Sequence, residues 1–195
     1  EVVGDRRPPG GALQLARHGE RWRLQLGGRV DLRDQWSPRG QLAAAIAWQP
    51  RPAWTVHASV GSVHRVPTFT ERYYEDPFNR ADPALAPEEA WAWDAGIRHE
   101  GGPWLASLTT FARHEDQVID WVRAPGDTIW VVRNAAEGLV RGVQLEAGWR
   151  HGRGHALELG YQYLHKELDL PEGAEAKYAL VVPRHHVTGQ ASVVL

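Results

Sequence analysis

Apolar and polar residues alternate with a period of two along most of this chain. That period is typical of β-strands, whose successive side chains point to opposite faces of a sheet. All thirteen prolines fall at the ends of the alternating segments or between them, where a missing N–H breaks no ladder. The alternating apolar positions are Leu13 and Leu15; Trp22, Leu24 and Leu26; Leu42, Ala44, Ile46 and Trp48; Trp54, Val56 and Val60; Trp91, Trp93, Ala95 and Ile97; Trp104, Ala106 and Leu108; Val143, Leu145, Ala147 and Trp149; Leu157, Leu159, Tyr161 and Tyr163; and Val187, Ala191, Val193 and Leu195. The pattern predicts an all-β fold, an antiparallel meander of about nine strands.

The connections between these segments alternate in length. The short ones lie near 17–20, 49–53, 100–103 and 151–154, and the long ones are 33–40, 62–90, 114–137 and 166–183. In a meander every second connection lies at the same end of the sheet. One end is therefore predicted to carry tight turns and the other long loops, which is typical of outer-membrane β-barrels.

Five tryptophans lie next to the short connections, each on the apolar side of its strand. They are Trp22, Trp48, Trp54, Trp104 and Trp149. Tryptophan is enriched where one part of the ring meets hydrocarbon and another meets water, so this set is predicted to form a membrane girdle. A second group, Trp91, Trp93, Tyr161 and Tyr163, lies toward the long connections and is predicted to form the opposite girdle.

A soluble β-sandwich that binds a ligand is an alternative, because it also buries one face of each strand and exposes the other. A sandwich core, however, gives no reason for two aromatic levels with an apolar band between them. The alternation of turn lengths and the level of the tryptophans therefore favour a transmembrane barrel.

Composition excludes several other classes of protein. The 22 basic and 24 acidic residues give a net charge of −2, which offers no basic face for nucleic acid. The absence of cysteine excludes disulfides and thiolate metal sites. No apolar run approaches the roughly 18 residues of a transmembrane helix. Because Glu1 is not an initiator methionine, the N-terminus is expected to be processed or cropped.

Several segments, in order, resemble the TonB-dependent outer-membrane receptor family, and the loop lengths are most similar to its vitamin B12 transporter-like branch. The first is 64–74, in which Arg65, Pro67, Phe69 and Glu71 match, and the second is 81–89, in which Pro83, Leu85, Pro87 and Glu88 match. Further matches are Trp93-Asp94-Ala95-Gly96-Ile97-Arg98, Asp116-Gln117-Val118-Ile119-Asp120-Trp121, and Asn134 followed by Gly138 and 141–146. His64, Val66 and Asp82 depart from the family pattern.

The resemblance implies a 22-stranded barrel with an N-terminal plug. Residues 1–195 would supply about nine strands of that barrel domain, without the plug, the TonB box or the terminal strands. It further implies a multi-pass protein of a Gram-negative-type outer membrane that is an active transporter and not an enzyme. The implied partners are outer-membrane lipid, the TonB complex and a small-molecule ligand, either a cobalamin-type corrinoid or an iron-siderophore. No cofactor is expected, and a passive porin or adhesin-like barrel remains an alternative.

The candidate catalytic and metal sites have simpler structural explanations. Glu88 and Glu89 are paired carboxylates at a strand entry, more typical of structure than of catalysis. His185 and His186 point to opposite faces of a strand, so neither catalysis nor a metal site is predicted there. Asp116 and Asp120 with Glu115 could bind Ca²⁺, but a solvated loop tip is the simpler reading.

The long loops carry aromatic surface with a few charges, which suits a large amphipathic ligand. The residues predicted to bind it are Arg72, Tyr73, Tyr74, Phe78, Arg80, Trp121 and Trp130. The alternative is that these rings pack the loops against each other. That alternative is favoured for Trp121.

Overall fold

The computed structural model describes residues 10–33, 36–152, 154–178 and 182–193. Strands account for most of them. In chain order the elements are β1 (Gly10–His18), β2 (Trp22–Arg33), β3 (Trp36–Arg51), β4 (Trp54–Arg65), α1 (Phe69–Tyr73), β5 (Asn79–Arg80), β6 (Glu88–Gly101), β7 (Trp104–Arg123), β8 (Trp130–His151), β9 (His155–Leu168), β10 (Glu175–Ala176) and β11 (His185–Ser192). Leu195, predicted to end the last strand, lies outside these ranges. No helix in them is both long and apolar enough to cross a membrane.

The long strands form one sheet in the order β1-β2-β3-β4-β6-β7-β8-β9-β11, each antiparallel to its neighbours. The two-residue strands lie off this path: β5 pairs parallel with β8, and β10 pairs antiparallel with β7. In the described part of the chain β1 and β11 are the sheet's two edges, and the sheet does not close on itself. The predicted all-β antiparallel meander of about nine strands is confirmed.

The apolar alternation lies on one face of the sheet. Residues directly opposite each other on paired strands share a face. One such row crosses the sheet through Trp48, Val56, Ile97, Leu108, Leu145, Tyr161 and Val187. Leu108 and Leu145, in the middle of this row, are each 44% exposed. A sandwich would cover such positions with a second sheet, whereas this chain presents them outward.

The tight turns lie at different levels along the strand direction. Trp22 pairs with Trp48 at the first two of them, and Trp104 pairs with Trp149 at the last two. Trp48 lies in the same cross-strand row as Leu108, but Trp104 lies four residues before Leu108. The level of the turns therefore shifts by two side chains on the outward face between β3 and β7. Such a stagger is what tilted strands of a barrel require.

Two of the predicted long loops are largely strand. β2 runs to Arg33 and β3 begins at Trp36, while β7 and β8 extend to Arg123 and from Trp130. The predicted connections 33–40 and 114–137 are therefore too long, although the sequence also predicts strand-like pieces at 118–122 and 128–132 around a turn at 124–127. A register shift between Asp31 and Arg33 precedes the first connection, and shifts after Glu115 lie within the second. Such shifts interrupt the alternation from which strands are predicted.

Two prolines also lie inside a strand, contrary to the prediction that all would fall outside. Pro38 and Pro50 are both in β3. The first lies next to the register shift between Asp31 and Arg33, and the second within the shift between Trp48 and Arg51. Ladder hydrogen bonds are already interrupted at such shifts, so a residue without N–H is tolerated there.

Candidate functional site

The connection from β4 to β6 is anchored by one arginine between two glutamates. The Nε and Nη2 of Arg65 donate to the two carboxylate oxygens of Glu88, at 2.6 and 2.9 Å. Its Nη1 donates to both oxygens of Glu71, at 3.1 and 3.0 Å. Glu88 also accepts the N–H of Ile119 at 2.5 Å. This arginine clamp therefore joins β4, α1, β6 and β7 through charge-assisted hydrogen bonds.

Helix α1 begins with a capping box that uses the same carboxylate. The hydroxyl of Thr68 accepts the N–H of Glu71 at 3.3 Å, and Glu71 accepts the N–H of Thr68 at 2.6 Å. Burial of the Glu71 carboxyl acts to raise its pKa, but hydrogen bonds from Arg65 and Thr68 outweigh burial. The pKa of Glu71 therefore lies below its usual value.

We expect acid to loosen α1. Because the pKa of Glu71 is lower in the folded state, its ionised form stabilises the loop above the unfolded pKa of about 4.3. That contribution is lost as the pH falls through the depressed folded pKa. Hydrogen exchange at the amides of Arg72 and Tyr74, which donate within α1, measures it after correction for intrinsic rates. Protection should begin to fall below about pH 5 and should continue to fall as the pH passes through the lowered folded pKa of Glu71. Protection that is independent of pH would contradict the role of Glu71.

Asn134 of β8 holds the second half of the same connection. Its Oδ1 accepts the N–H of Ala86 at 2.8 Å, and its Nδ2 donates to the carbonyls of Ala86 and Gln117, both at 2.9 Å. Gln117 lies at the register shift of β7 and has a left-handed backbone, with φ of 56°. Fixing its carbonyl helps to hold a conformation that residues other than glycine rarely adopt.

Beneath the loops lies a small hydrophobic core made of Leu85, Ile119, Trp121 and Val132, against which Trp130 packs. Trp121 is only 9% exposed. Its ring therefore packs the loops together, the alternative favoured for it, and is not part of the free surface.

Lys177 joins three connections at one point. Its backbone N–H donates to the carbonyl of Trp121 at 3.0 Å, and its Nζ donates to Asn79 at 3.3 Å. The same Nζ lies 5.8, 5.6 and 5.4 Å from the ring centres of Trp121, Trp130 and Tyr178. Such distances are typical of cation–π contacts. Lys177 thereby ties the chain beside β10 to the β4–β6 connection and to the β7–β8 hairpin.

Asp120 is buried and supports the same junction. Its carboxylate accepts the N–H of Tyr178 at 3.0 and 3.3 Å. No group of three or more His, Asp and Glu side chains suited to a metal ion occurs in the described ranges. The observed partners of Asp120 are those of a structural carboxylate.

Three predicted ligand-binding rings are exposed above this framework. Tyr73 and Tyr74 are about half exposed, and Phe78 is 65% exposed. The hydroxyl of Tyr74 donates to Asp76 at 2.9 Å, which raises the pKa of Tyr74. The N–H of Phe78 donates to the same carboxylate at 2.7 Å, so Asp76 fixes the segment between the two rings.

The remaining predicted ligand-binding residues have different surroundings. The guanidinium of Arg72 lies 5.2 Å from the ring centre of Trp36 and 4.9 Å from that of Tyr73. Arg80 is exposed on β5. Trp130 is partly buried, with the guanidinium of Arg123 at 4.6 Å from its ring centre. Arg72 therefore contacts the exposed ring of Tyr73, Arg80 is exposed two residues after Phe78, and Trp130 packs against the small hydrophobic core.

The family-motif residues divide into anchors and exposed positions. Arg65, Glu71 and Glu88 form the arginine clamp, and Pro67, Leu85 and Pro87 are buried. Phe69 is 79% exposed and Pro83 is also exposed. Glu89 does not act as a pair with Glu88, since it forms an ion pair with Arg39.

The polar face of the sheet has a Ser, His and Asp group that lacks the geometry of a nucleophile. Ser59 donates to Asp94, and His57 Nε2 lies 3.7 Å from the same carboxylate. A catalytic serine must instead bond to the base that removes its proton. Elsewhere, His185 contacts Tyr161 on the apolar side, with its Nδ1 2.9 Å from the Tyr161 hydroxyl.

The five tryptophans at the tight turns occupy matching positions. Trp22 pairs with Trp48 and Trp104 pairs with Trp149, while Trp54 pairs with His99. Four of the five are exposed, and Trp149 is partly exposed. They therefore follow the staggered edge of the sheet on its apolar face.

Sequence reasoning missed Lys177, Asn79 and Trp36 as parts of the site. Lys177 and Asn79 are 98 residues apart, and both lie in polar segments without periodicity. Asn134, the nearby residue that matched the family pattern, bonds to Ala86 and Gln117 and therefore gave no signal for these three residues.

Comparison with known proteins identifies the family of this chain. Residues 10–192 match the family model described as TonB dependent receptor-like, beta-barrel. The chain is 28% identical over 150 residues to the vitamin B12 transporter BtuB of Photobacterium profundum, covering 73% of this chain and 23% of BtuB.

Two solved structures share the fold. The siderophore receptor PirA from Acinetobacter baumannii aligns with a TM-score of 0.73 and 14% identity, over 92% of this chain and 30% of PirA. The FrpB iron transporter from Neisseria meningitidis (F3-3 variant) aligns with a TM-score of 0.63 and 19% identity, over 82% of this chain and 25% of FrpB. This chain spans about a quarter of the length of these relatives. It belongs to the TonB-dependent receptor β-barrel family of the outer membrane.

Proposed function

We propose that this protein is an active outer-membrane transporter that captures a large, scarce ligand with its long loops. The observation that carries the proposal is the exposure of Tyr73, Tyr74 and Phe78 on a segment that is itself fixed by the arginine clamp. Preorganised aromatic surface binds at a smaller entropic cost than a loop that must first be ordered. Uptake then follows from rearrangement of a plug driven by the TonB complex of the inner membrane.

Residues 1–195 act in this proposal as part of the barrel domain. The open edges at β1 and β11 carry unpaired backbone groups, which bilayer hydrocarbon does not tolerate. Further strands of the same barrel would satisfy them. The outward apolar face would contact lipid, with Trp22, Trp48, Trp54, Trp104 and Trp149 at one boundary and Trp91, Trp93, Tyr161 and Tyr163 toward the other.

The ligand class that suits the loops is a corrinoid or an iron-siderophore complex. Both are large and combine flat apolar parts with polar groups. Tyr73, Tyr74 and Phe78 would contact the apolar parts, and Arg72 and Arg80 beside them would meet carboxylate or phosphate groups. One of the relatives is named as a vitamin B12 transporter and another as a siderophore receptor, which supports both classes.

Replacing Tyr73 and Tyr74 together by alanine should weaken ligand binding about tenfold, because exposed aromatic anchors commonly contribute at least 1 kcal/mol to binding. The measurement is equilibrium binding of cyanocobalamin and of a panel of ferric siderophores to the full-length protein in detergent. Trp104→Ala is the control, since it removes an exposed aromatic ring at the opposite end of the sheet. Unchanged affinity in the double variant for every ligand bound by the wild type would contradict the assigned surface.

A passive barrel is the second candidate, because the polar face of the sheet would also line an aqueous channel. Energy coupling separates the two functions. Uptake of the bound ligand by whole cells should stop when a protonophore dissipates the inner-membrane gradient, whereas diffusion through an open pore continues. Uptake that survives the protonophore would overturn the active-transport proposal.

A further inference from the structure

The tight-turn edge of the apolar face carries basic side chains beside its tryptophans. We name this set the basic tryptophan belt; it consists of Arg17, Trp22, Trp48, Arg51, Trp54, His99, Trp104, Trp149 and His151. Arg17 pairs with Leu24, which places it on the apolar face, and its guanidinium lies 5.9 Å from the ring centre of Trp22. Positive charge and indole therefore occur together in the belt.

The other basic groups of the belt repeat this arrangement. Arg51 is the cross-strand partner of Trp54. His99 is the partner of Trp54 on the other side, with ring centres 4.5 Å apart. The ring of His151 stacks on Trp149 at 5.5 Å with 5° between the planes. Three separate turns thus present nitrogen donors at the level of the indoles.

Glu100 at the end of β6 and Glu158 near the start of β9 lie on the polar face of the sheet, opposite to the belt. Arg98 and Glu100 are paired at 3.3 Å, and Arg150 and Glu158 at 3.1 Å. Both arginines are next to outward-facing residues, His99 and Trp149, and successive side chains of a strand alternate between faces. In the described ranges neither Arg17 nor Arg51 has an acidic side chain within ion-pair distance.

At the long-loop end of the apolar face, Arg141 and His165 have an acidic partner. Arg141 is paired with Glu167 at 2.8 Å, and His165 lies 2.9 Å from the same carboxylate. The charge of Arg141 is therefore neutralised within the protein. The belt differs because its two arginines have no acidic partner among the described residues, although the chain as a whole is slightly acidic.

We propose that the basic tryptophan belt binds anionic glycerophospholipid headgroups, in preference to zwitterionic ones, at the boundary of the bilayer. Indoles set the depth of this level in the membrane, and guanidinium groups there meet phosphate oxygens directly. Juxtamembrane arginines are attracted to anionic lipid surfaces because the local potential is negative. The inference rests on the proposed placement of the apolar face in lipid and adds a lipid preference to it.

The test is quenching of tryptophan fluorescence by brominated lipids in the full-length protein, reconstituted in bilayers. Brominated phosphatidylglycerol and brominated phosphatidylcholine are compared at equal fraction. The wild type should bind phosphatidylglycerol about fivefold more strongly than phosphatidylcholine. The double variant R17Q/R51Q should bring the ratio close to one. Rising salt should also lower the wild-type ratio, because exposed charges are screened.

The matched control is R98Q/R150Q, which removes two arginines from the same end of the sheet but from its other face. Its ratio should equal that of the wild type. An equal loss in both double variants, or a wild-type ratio of one, would overturn the headgroup preference while leaving the membrane placement intact. Loss of the ratio in low-millimolar inorganic phosphate at constant ionic strength would also overturn it, in favour of a discrete anion site. No quenching by either lipid would contradict the membrane placement itself.

Discussion

Replacing Leu145 by arginine is expected to lower the free energy of unfolding by about 2–4 kcal/mol, the cost of a charged side chain facing the middle of a bilayer. Leu145 lies in the centre of β8, paired with Leu108 and Tyr161, on the apolar face. It is 44% exposed, so the arginine would meet lipid and not a protein partner. The measurement is the urea unfolding midpoint of the full-length protein in lipid bilayers.

Gln144→Arg is the control for the same strand and the same introduced charge. Gln144 lies on the opposite face, where its amide donates to Glu146 at 2.9 Å, so an arginine there has water and a carboxylate nearby. Its expected effect is within about 0.5 kcal/mol. Equal costs at the two positions would mean that hydrocarbon does not cover the apolar face, and the membrane account of this chain would fail.

Arg65→Leu is expected to open the β4–β6 connection, with a local cost of about 2–3 kcal/mol. The substitution leaves Glu71 and Glu88 side by side without their shared donor, and hydrogen bonds to charged groups typically contribute about 1.5–3 kcal/mol each. The expected cost is well below the sum over the four hydrogen bonds, because the arginine is partly exposed and water screens both ion pairs. Hydrogen exchange at the amides of Arg72, Tyr74 and Ile119 reports the opening directly.

Arg65→Lys separates charge from geometry. Lysine keeps the positive charge but lacks the fork that reaches two oxygens of Glu88 and two of Glu71 at once. Protection should therefore fall by an intermediate amount, and ligand affinity should fall in parallel if the exposed rings depend on the clamp. Wild-type protection in Arg65→Leu would show that α1 is held without it.

The strands were predictable because their signal is local. Alternation with a period of two is visible within a few consecutive residues. It therefore predicts which residues share a face of a strand and where most strands end. The predicted connections were too long at 33–40 and 114–137, where register shifts place consecutive residues out of phase. At those points the pairing partner, and not the local pattern, decides whether a segment is strand.

The loop site was only partly predictable. Tyr73, Tyr74 and Phe78 were singled out as aromatic residues in a long polar connection, and they are exposed. Trp121 is also an aromatic residue of a long connection, but it lies in the apolar stretch 118–122 and is buried because Leu85 and Val132 reach it from other parts of the chain. Side-chain type alone does not separate a ring that faces solvent from a ring that faces a core.

The sequence by itself determined the all-β class, the order of the strands, the apolar face with its tryptophans and the family, because each is carried by spacing within a strand or a short motif. Only the tertiary structure decided that Arg65 joins Glu71 to Glu88 and that Lys177 contacts Asn79. It also decided that Glu100 and Glu158, near the basic tryptophan belt, pair with arginines on the other face. These contacts join residues that the register of separate strands and the packing of separate loops bring together. Their energies depend on geometry that no single stretch of the chain encodes.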